Sequence, residues 1–120
     1  MRANESDLGL LKMAAEAIAN YHDGFDSALG HEVWWLQEQS RFGAWDPLAD
    51  DGDALRLAVR LDIELRFHVA AAVPSTTASC KGKDDLPIAR EIWSNDKPAA
   101  TRRAIVRAAA EIGKIAGANA

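Results

Sequence analysis

The sequence predicts an α+β fold, an α/β sandwich of three helices and about three strands in the order α-β-α-β-β-α. Three observations carry this expectation. Apolar residues recur at spacings of three and four in three separate segments, as on a buried helix face. One segment alternates strictly between apolar and polar residues, the signature of a half-buried strand. The stretches between them are rich in turn formers. The chain has 120 residues, 48% hydrophobic and 27% charged, which suits one domain, residues 1–120, with a buried core.

Along Asp7–Asn20, residues Leu8, Leu11, Ala15 and Ile18 share one helical face. Asn4 or Ser6 is placed to cap the start, and Asn20 with Gly24 to end it. Residues 21–31 are dense in Asp, Gly and Ser and read as turn. Glu32–Gln37 contains Val33, Trp34 and Trp35 and reads as a short strand, since such side chains suit a pleated surface. Continued helix is the competing reading, because nothing in that stretch breaks one.

Asp46-Pro47 favours a turn, the residue before proline being pushed out of the helical region. Asp50 is placed to cap a helix, with Asp51 and Asp53 in its first turn, where the helix dipole favours negative charge. Ala54, Leu57, Ala58 and Leu61 form its apolar stripe, with Arg56 and Arg60 outward. Then Ile63, Leu65, Phe67 and Val69 alternate with Glu64, Arg66 and His68, so the helix folds back beside a strand after one or two residues around Asp62. Residues 71–85 read as a long loop. Leu86–Trp93 reads as a third strand, which Pro87 confines to a sheet edge. Asn95 or Asp96, with Pro98 in the first turn, opens a last helix. Its stripe is Ile105, Ala108, Ala109, Ile112 and Ala116, opposite Arg102, Arg103, Arg107 and Lys114.

No apolar run approaches the roughly 20 residues of a membrane span. The N-terminal residues lack the apolar core of a secretory signal. Cys80 is the one cysteine, so neither an intrachain disulfide nor an all-cysteine zinc site can form. The expected setting is the cytoplasm. The net charge of −4 divides unevenly, −7 over residues 1–70 and +3 over residues 71–120. Acidic and basic elements packed side by side, or alternating across a dimer, account for that; a nucleic-acid surface on the basic half is the alternative.

The segments Trp45–Leu61 and Arg102–Ile112 resemble small phage and prophage proteins. These carry a Trp-x-Pro-Leu-x-Asp-Asp-Gly-Asp-Ala-Leu-Arg-Leu-Ala run in mid-chain and Arg-Arg-Ala-Ile-Val-Arg-Ala-Ala near the end. The layout also resembles the phage α-β-α sandwich domain group, although Met13–Ala19 departs from the Ala-Glu-Lys-Val-Met-Gly-Trp type of helix found there. The matching blocks cover about a quarter of the chain. The resemblance implies a phage-derived accessory protein in a bacterial host and carries no activity with it.

Asp46, Asp50, Asp51 and Asp53 invite a calcium reading. Counted from Asp46, an EF-hand type of loop would need a ligand at Leu48, glycine at Asp51 and glutamate at Leu57, so the pattern fails. Helix capping explains the carboxylates without an ion. His22, His31 and His68 form no i, i+4 pair of the kind zinc hydrolases use; His22-Asp23 and His31-Glu32 are acid–base pairs only by adjacency. Cys80, between Ser79 and Lys81, reads as an exposed thiol in a loop. No glycine-rich phosphate loop can be written on Gly24, Gly30, Gly43 and Gly52. These absences assign no catalytic residue, no metal ligand and no cofactor.

Binding is the remaining reading. A strand cannot bury Trp34 and Trp35 on one side, so one of them serves a second layer or an interface, where tryptophan is enriched. The expected binding residues are Trp34, Trp35, Trp45, Arg103 and Arg107. The expected partner is a host or phage protein, with a homodimer open and no membrane. One form is an inhibitor that covers the basic surface of a host nucleic-acid enzyme. The alternatives are nucleic-acid binding through Arg103, Arg107 and Lys114, and a small-ligand site at Trp45–Asp53 with His31.

Overall fold

A computed structural model describes residues 4–80 and 88–118, with side-chain surroundings to residue 115. The elements are α1 (Glu5–Glu16), β1 (Tyr21–Asp26), β2 (His31–Leu36), β3 (Arg41–Gly43), α2 (Asp51–Arg60), β4 (Ile63–His68), β5 (Ser75–Cys80), β6 (Ala89–Ile92) and α3 (Lys97–Ala118). The class is the expected mixed α+β one, with three helices among the described residues, but six strands there in place of the expected three or so. They form two antiparallel sheets, ordered β1-β2-β3 and β4-β5-β6. No strand of one sheet touches a strand of the other, and the helices join them. Among the described residues no helix is long and apolar enough to cross a membrane.

Helix α3 is the hub. It packs along α1, against α2, and across β5 and β6. The α1–α3 seam is built from small residues: Ala14, Ala15, Ala104, Ala108 and Ala109 are all fully enclosed. Small side chains let the two helices come so close that a Cβ on Gly113 would stand 1.8 Å from the Met13 carbonyl oxygen. The core continues through Leu11, Trp34, Trp45, Leu57 and Ile105.

Asn4 caps α1 by accepting the Asp7 N–H at 2.8 Å. The helix ends earlier than its periodicity suggests. Ala19 turns left-handed at φ 59°, and the Asn20 N–H returns to the Ala15 carbonyl at 3.0 Å, the six-to-one bond of a Schellman closure. The Asn20 amide oxygen then takes the Gln37 N–H at 2.9 Å, tying the helix end to the end of β2.

Two segments read as turn or loop are strands. Residues 21–26 carry two Asp and a Gly, which strands disfavour, yet they pair with β2 through a bulge between His22 and Gly24. The hairpin turn follows, where Asp26 accepts the Ala28 and Leu29 N–H groups and Gly30 supplies φ 78°. The expected 71–85 loop contains β5, the central strand of the second sheet. Ser75, Thr76 and Thr77 look solvent-bound in sequence but are buried, because each hydroxyl has a partner. Thr76 Oγ1 meets Thr101 and accepts the Trp93 indole N–H, Ser75 accepts from Arg90, and Thr77 meets His68. Cys80 is therefore a half-buried strand residue opposite Ile63, not a loop thiol. Residues 81–87, with Leu86 and Pro87 of the expected third strand, lie outside the described residues; Ala89–Ile92 of that strand does sit at a sheet edge.

Candidate functional site

The mid-chain run folds into a self-contained helix start. Asp46 accepts the Leu48 N–H at 3.2 Å, forming an Asx turn. The Asp46 carbonyl accepts the Asp50 N–H, and the Asp50 carboxylate caps α2 by accepting the Asp53 N–H at 2.8 Å. Asp53 reaches back to the Asp46 N–H at 2.9 Å and also accepts from Arg56 at 2.7 Å. Asp51 meets Arg102 at 2.7 Å. All four carboxylates thus have partners within the fold, Asp51 through Arg102 of α3. Among the described residues no group of three or more His, Cys, Asp or Glu side chains is arranged to hold a metal ion.

Beside this run lies a cavity of about 510 Å³, walled by Asp7, Glu32, Trp34, Trp45, Asp46 and Leu48, among others. Trp34 and Trp45 meet edge to face with ring centroids 5.0 Å apart. His22 packs against Trp34 with ring centroids 4.9 Å apart and bonds Glu32 at 2.9 Å. His22 therefore pairs with Glu32 and not with its neighbour Asp23, because alternation along β1 sends His22 inward and leaves Asp23 exposed, while His31 Nδ1 meets the Glu32 backbone carbonyl at 2.8 Å. The buried Trp34 indole N–H has no hydrogen-bond acceptor among the described residues. Burial pushes the Asp46 carboxyl above its ordinary range, against the pull of the Leu48 and Ala49 N–H groups, and the charges of Asp53 and Asp7 add to the rise.

Four cations of α3 face carboxylates, while Lys97 at its start lies over the Phe67 and Trp93 rings, 4.9 and 4.4 Å from their centroids. Arg103 meets Asp7 at 3.1 Å and Lys114 meets Glu111 at 3.0 Å. Arg107 meets both the Glu91 carboxylate and the Arg90 carbonyl. Arg102, mostly buried, bonds Asp51 and the Leu48 carbonyl. Arg102–Asp51 and Arg103–Asp7 join the basic half of the sequence to the acidic one, while Arg107–Glu91 and Lys114–Glu111 lie within the basic half.

Trp35 stands apart from Trp34 and Trp45, on the opposite face of β2. Register places Tyr21 of β1 beside it on one side and Phe42 of β3 on the other. Tyr21 stacks on Trp35 with centroids 6.2 Å apart, and Phe42 meets it edge to face at 5.0 Å. Tyr21 and Phe42 are 53% and 50% exposed, values far above those of core aromatics. The Trp35 indole N–H is fixed by the Gln37 side chain at 2.7 Å. Tyr21 and Phe42 also meet each other edge to face at 6.4 Å, and this cluster of three rings, one per strand, was hidden in the sequence. Only the pairing of strands brings positions 21, 35 and 42 together.

Compared with known proteins, the chain matches no family model, no curated protein and no solved structure. Its functional reading therefore rests on its own geometry. Of the five residues expected to bind, Trp34 and Trp45 meet in the core, Arg103 and Arg107 are ion-paired on α3, and Trp35 is half-buried beside the exposed rings of Tyr21 and Phe42.

Proposed function

We propose that this chain is a non-enzymatic protein-binding module that docks its partner on the outer face of β1–β2–β3. The observation that carries the reading is the aromatic cluster of Tyr21 and Phe42, each about half exposed, against the half-buried Trp35. Rings at this exposure cost solvation in the free protein, and aromatic residues are the anchors around which protein interfaces are built. The resemblance of residues 45–61 and 102–112 to phage proteins supports a phage or prophage accessory protein acting on a host or phage partner. The test is capture from bacterial lysate by wild type, Trp35→Ala/Phe42→Ala and Arg103→Glu/Arg107→Glu, compared by mass spectrometry. Proteins retained by wild type and by the helix variant, and lost by the sheet variant, are the expected result. An unchanged set with the sheet variant removes the proposal.

A second reading, a small-ligand site beside Trp45–Asp53, draws on the cavity next to Asp46 and its raised pKa. A ligand there protects the fold by mass action, so a compound that raises Tm in wild type and not in Trp45→Phe supports it. Nucleic-acid binding by α3 has less behind it, because Arg102, Arg103, Arg107 and Lys114 already meet carboxylates.

A further inference from the structure

The second sheet ends in a long, regular edge at β4. Among the other edge strands, β3 and β6 have three and four residues, and β1 is interrupted by its bulge. β4 runs in unbroken register with β5 on one side, and no described strand takes up its other side. It holds neither Pro nor Lys, the residues with which exposed edges are commonly blunted. The backbone direction on that side follows from β5. The Trp93 N–H bonds the Pro74 carbonyl and the Ile88 N–H bonds the Ala78 carbonyl. Even-numbered positions there bond toward β6, so Ser75, Thr77 and Ser79 bond toward β4, where they meet His68, Arg66 and Glu64. The N–H and C=O groups of Ile63, Leu65 and Phe67 therefore turn to the open edge.

The side chains around this edge are apolar. Phe67, and Leu55 and Val59 one turn apart on α2, are each about half exposed or more. Leu55, Leu65, Phe67 and Ile105 line a hollow of about 310 Å³. Such an edge takes a strand whose apolar and charged residues fall in step with its own, and β4 is its own complement. Residues directly opposite in an antiparallel pair share a face and interact. Two copies of β4 centred on Leu65 set Leu65 against Leu65, Ile63 against Phe67, and Glu64 against Arg66. Centring the pair on Glu64 or on Arg66 opposes like charges. A shift of half a residue sets apolar side chains against charged ones, and a parallel pair in register opposes both Glu64 and Arg66 to themselves.

We propose that this chain forms a two-fold dimer in which β4 pairs antiparallel with β4 of a second copy, centred on Leu65. Leu65 exchanges backbone hydrogen bonds with its counterpart, and Ile63 with Phe67 of the partner subunit. The 3.4 Å contact between the exposed Arg66 and Glu64 side chains of one chain gives way to two cross-strand pairs. The dimer is independent of the docking face on β1–β2–β3, which it does not use. One strand pair with its flanking α2 stripe is smaller than a standard interface of about 1,600 Å², so the dimer is reversible, with a Kd on the order of 10–100 μM.

Sedimentation velocity from about 1 to 500 μM protein tests this, the range spanning that Kd. Wild type should pass from monomer to dimer across it. Arg66→Glu and Glu64→Arg each place like charges opposite one another twice, and each should weaken the dimer about tenfold. Both positions are exposed, so these variants keep the fold, and their Tm at low concentration checks it. An equimolar mixture of the two restores opposite charges at every pair and should dimerise as wild type does; so should Glu64→Arg/Arg66→Glu. Wild type that stays monomeric throughout overturns the inference. So does a dimer that Arg66→Glu leaves intact, or a pair of weakened variants that does not recover on mixing. A dimer lost in Trp35→Ala/Phe42→Ala and kept in Arg66→Glu also overturns it, and places the second copy on the ring face instead.

Discussion

Replacing Gly113 by alanine probes the seam on which this fold depends. A Cβ built at Gly113 lies 1.8 Å from the Met13 carbonyl oxygen, 3.0 Å from its carbon and 3.4 Å from the Ala17 nitrogen. The first contact is with backbone, so no rotamer change relieves it. Helices α1 and α3 must part by more than an ångström at this point. The neighbouring Ala14, Ala15, Ala108 and Ala109 are fully enclosed and lose contacts as the seam opens. Overpacking of this kind typically costs 1–3 kcal/mol or somewhat more, set against about 1 kcal/mol that alanine gains over glycine within a helix. A net loss of about 1–2 kcal/mol is expected, which for a chain of this size lowers Tm by roughly 3–10 °C. Gly9, within α1, gives the matching control, because a Cβ there meets nothing within 4 Å. Gly9→Ala should raise stability by up to about 1 kcal/mol through helix propensity and a less flexible unfolded chain. Urea and thermal unfolding of both variants measure the pair. A Gly113→Ala protein as stable as wild type, or more so, would refute the close-packed seam.

Asp46 sets a pH dependence. Its folded pKa is raised by burial, so the fold favours the protonated form and loses that contribution as pH rises through the folded value. Asp46→Asn keeps an acceptor for the Leu48 N–H and removes the charge; it should be more stable than wild type at neutral pH, with the gap closing below about pH 3.8. Truncating Arg102 to methionine should cost about 1–3 kcal/mol, since it leaves the Leu48 carbonyl without its donor. Arg56→Ala, at a 65% exposed side chain, should change stability by less than about 0.5 kcal/mol; equal losses in urea melts would contradict the difference in burial. Ala19→Gly should stabilise by about 1 kcal/mol, because alanine now holds a left-handed φ of 59° that glycine adopts freely. Duplex DNA at low salt should show no shift with the protein, and a salt-sensitive shift lost in Arg103→Glu/Arg107→Glu would revive the basic helix as a binding surface.

Local chemistry by itself determined the helices and their starts. Asn4, Asp50 and Asp96 each cap the helix that follows, and the stripes Ala54-Leu57-Ala58 and Ile105-Ala108-Ala109 are the buried ones, because capping and a 3.6-residue period act within a few residues of chain. The strand 63–68 and its tight link at Asp62 were legible for the same reason. The tertiary structure decided the rest. Tyr21–Asp26 is a strand only because β2 supplies its hydrogen bonds, against the preference of its Asp and Gly residues. Ser75–Cys80 is the centre of a sheet only because Arg90, Trp93, Thr101 and His68 satisfy its hydroxyls across the fold. The binding surface divides in the same way. Alternation required Trp34 and Trp35 to part, but which one met solvent, and that Tyr21 and Phe42 would stand beside it, depended on pairings between residues 7 to 14 positions apart. Sequence periodicity reports what a segment prefers alone; register between strands reports what it has been given to pair with.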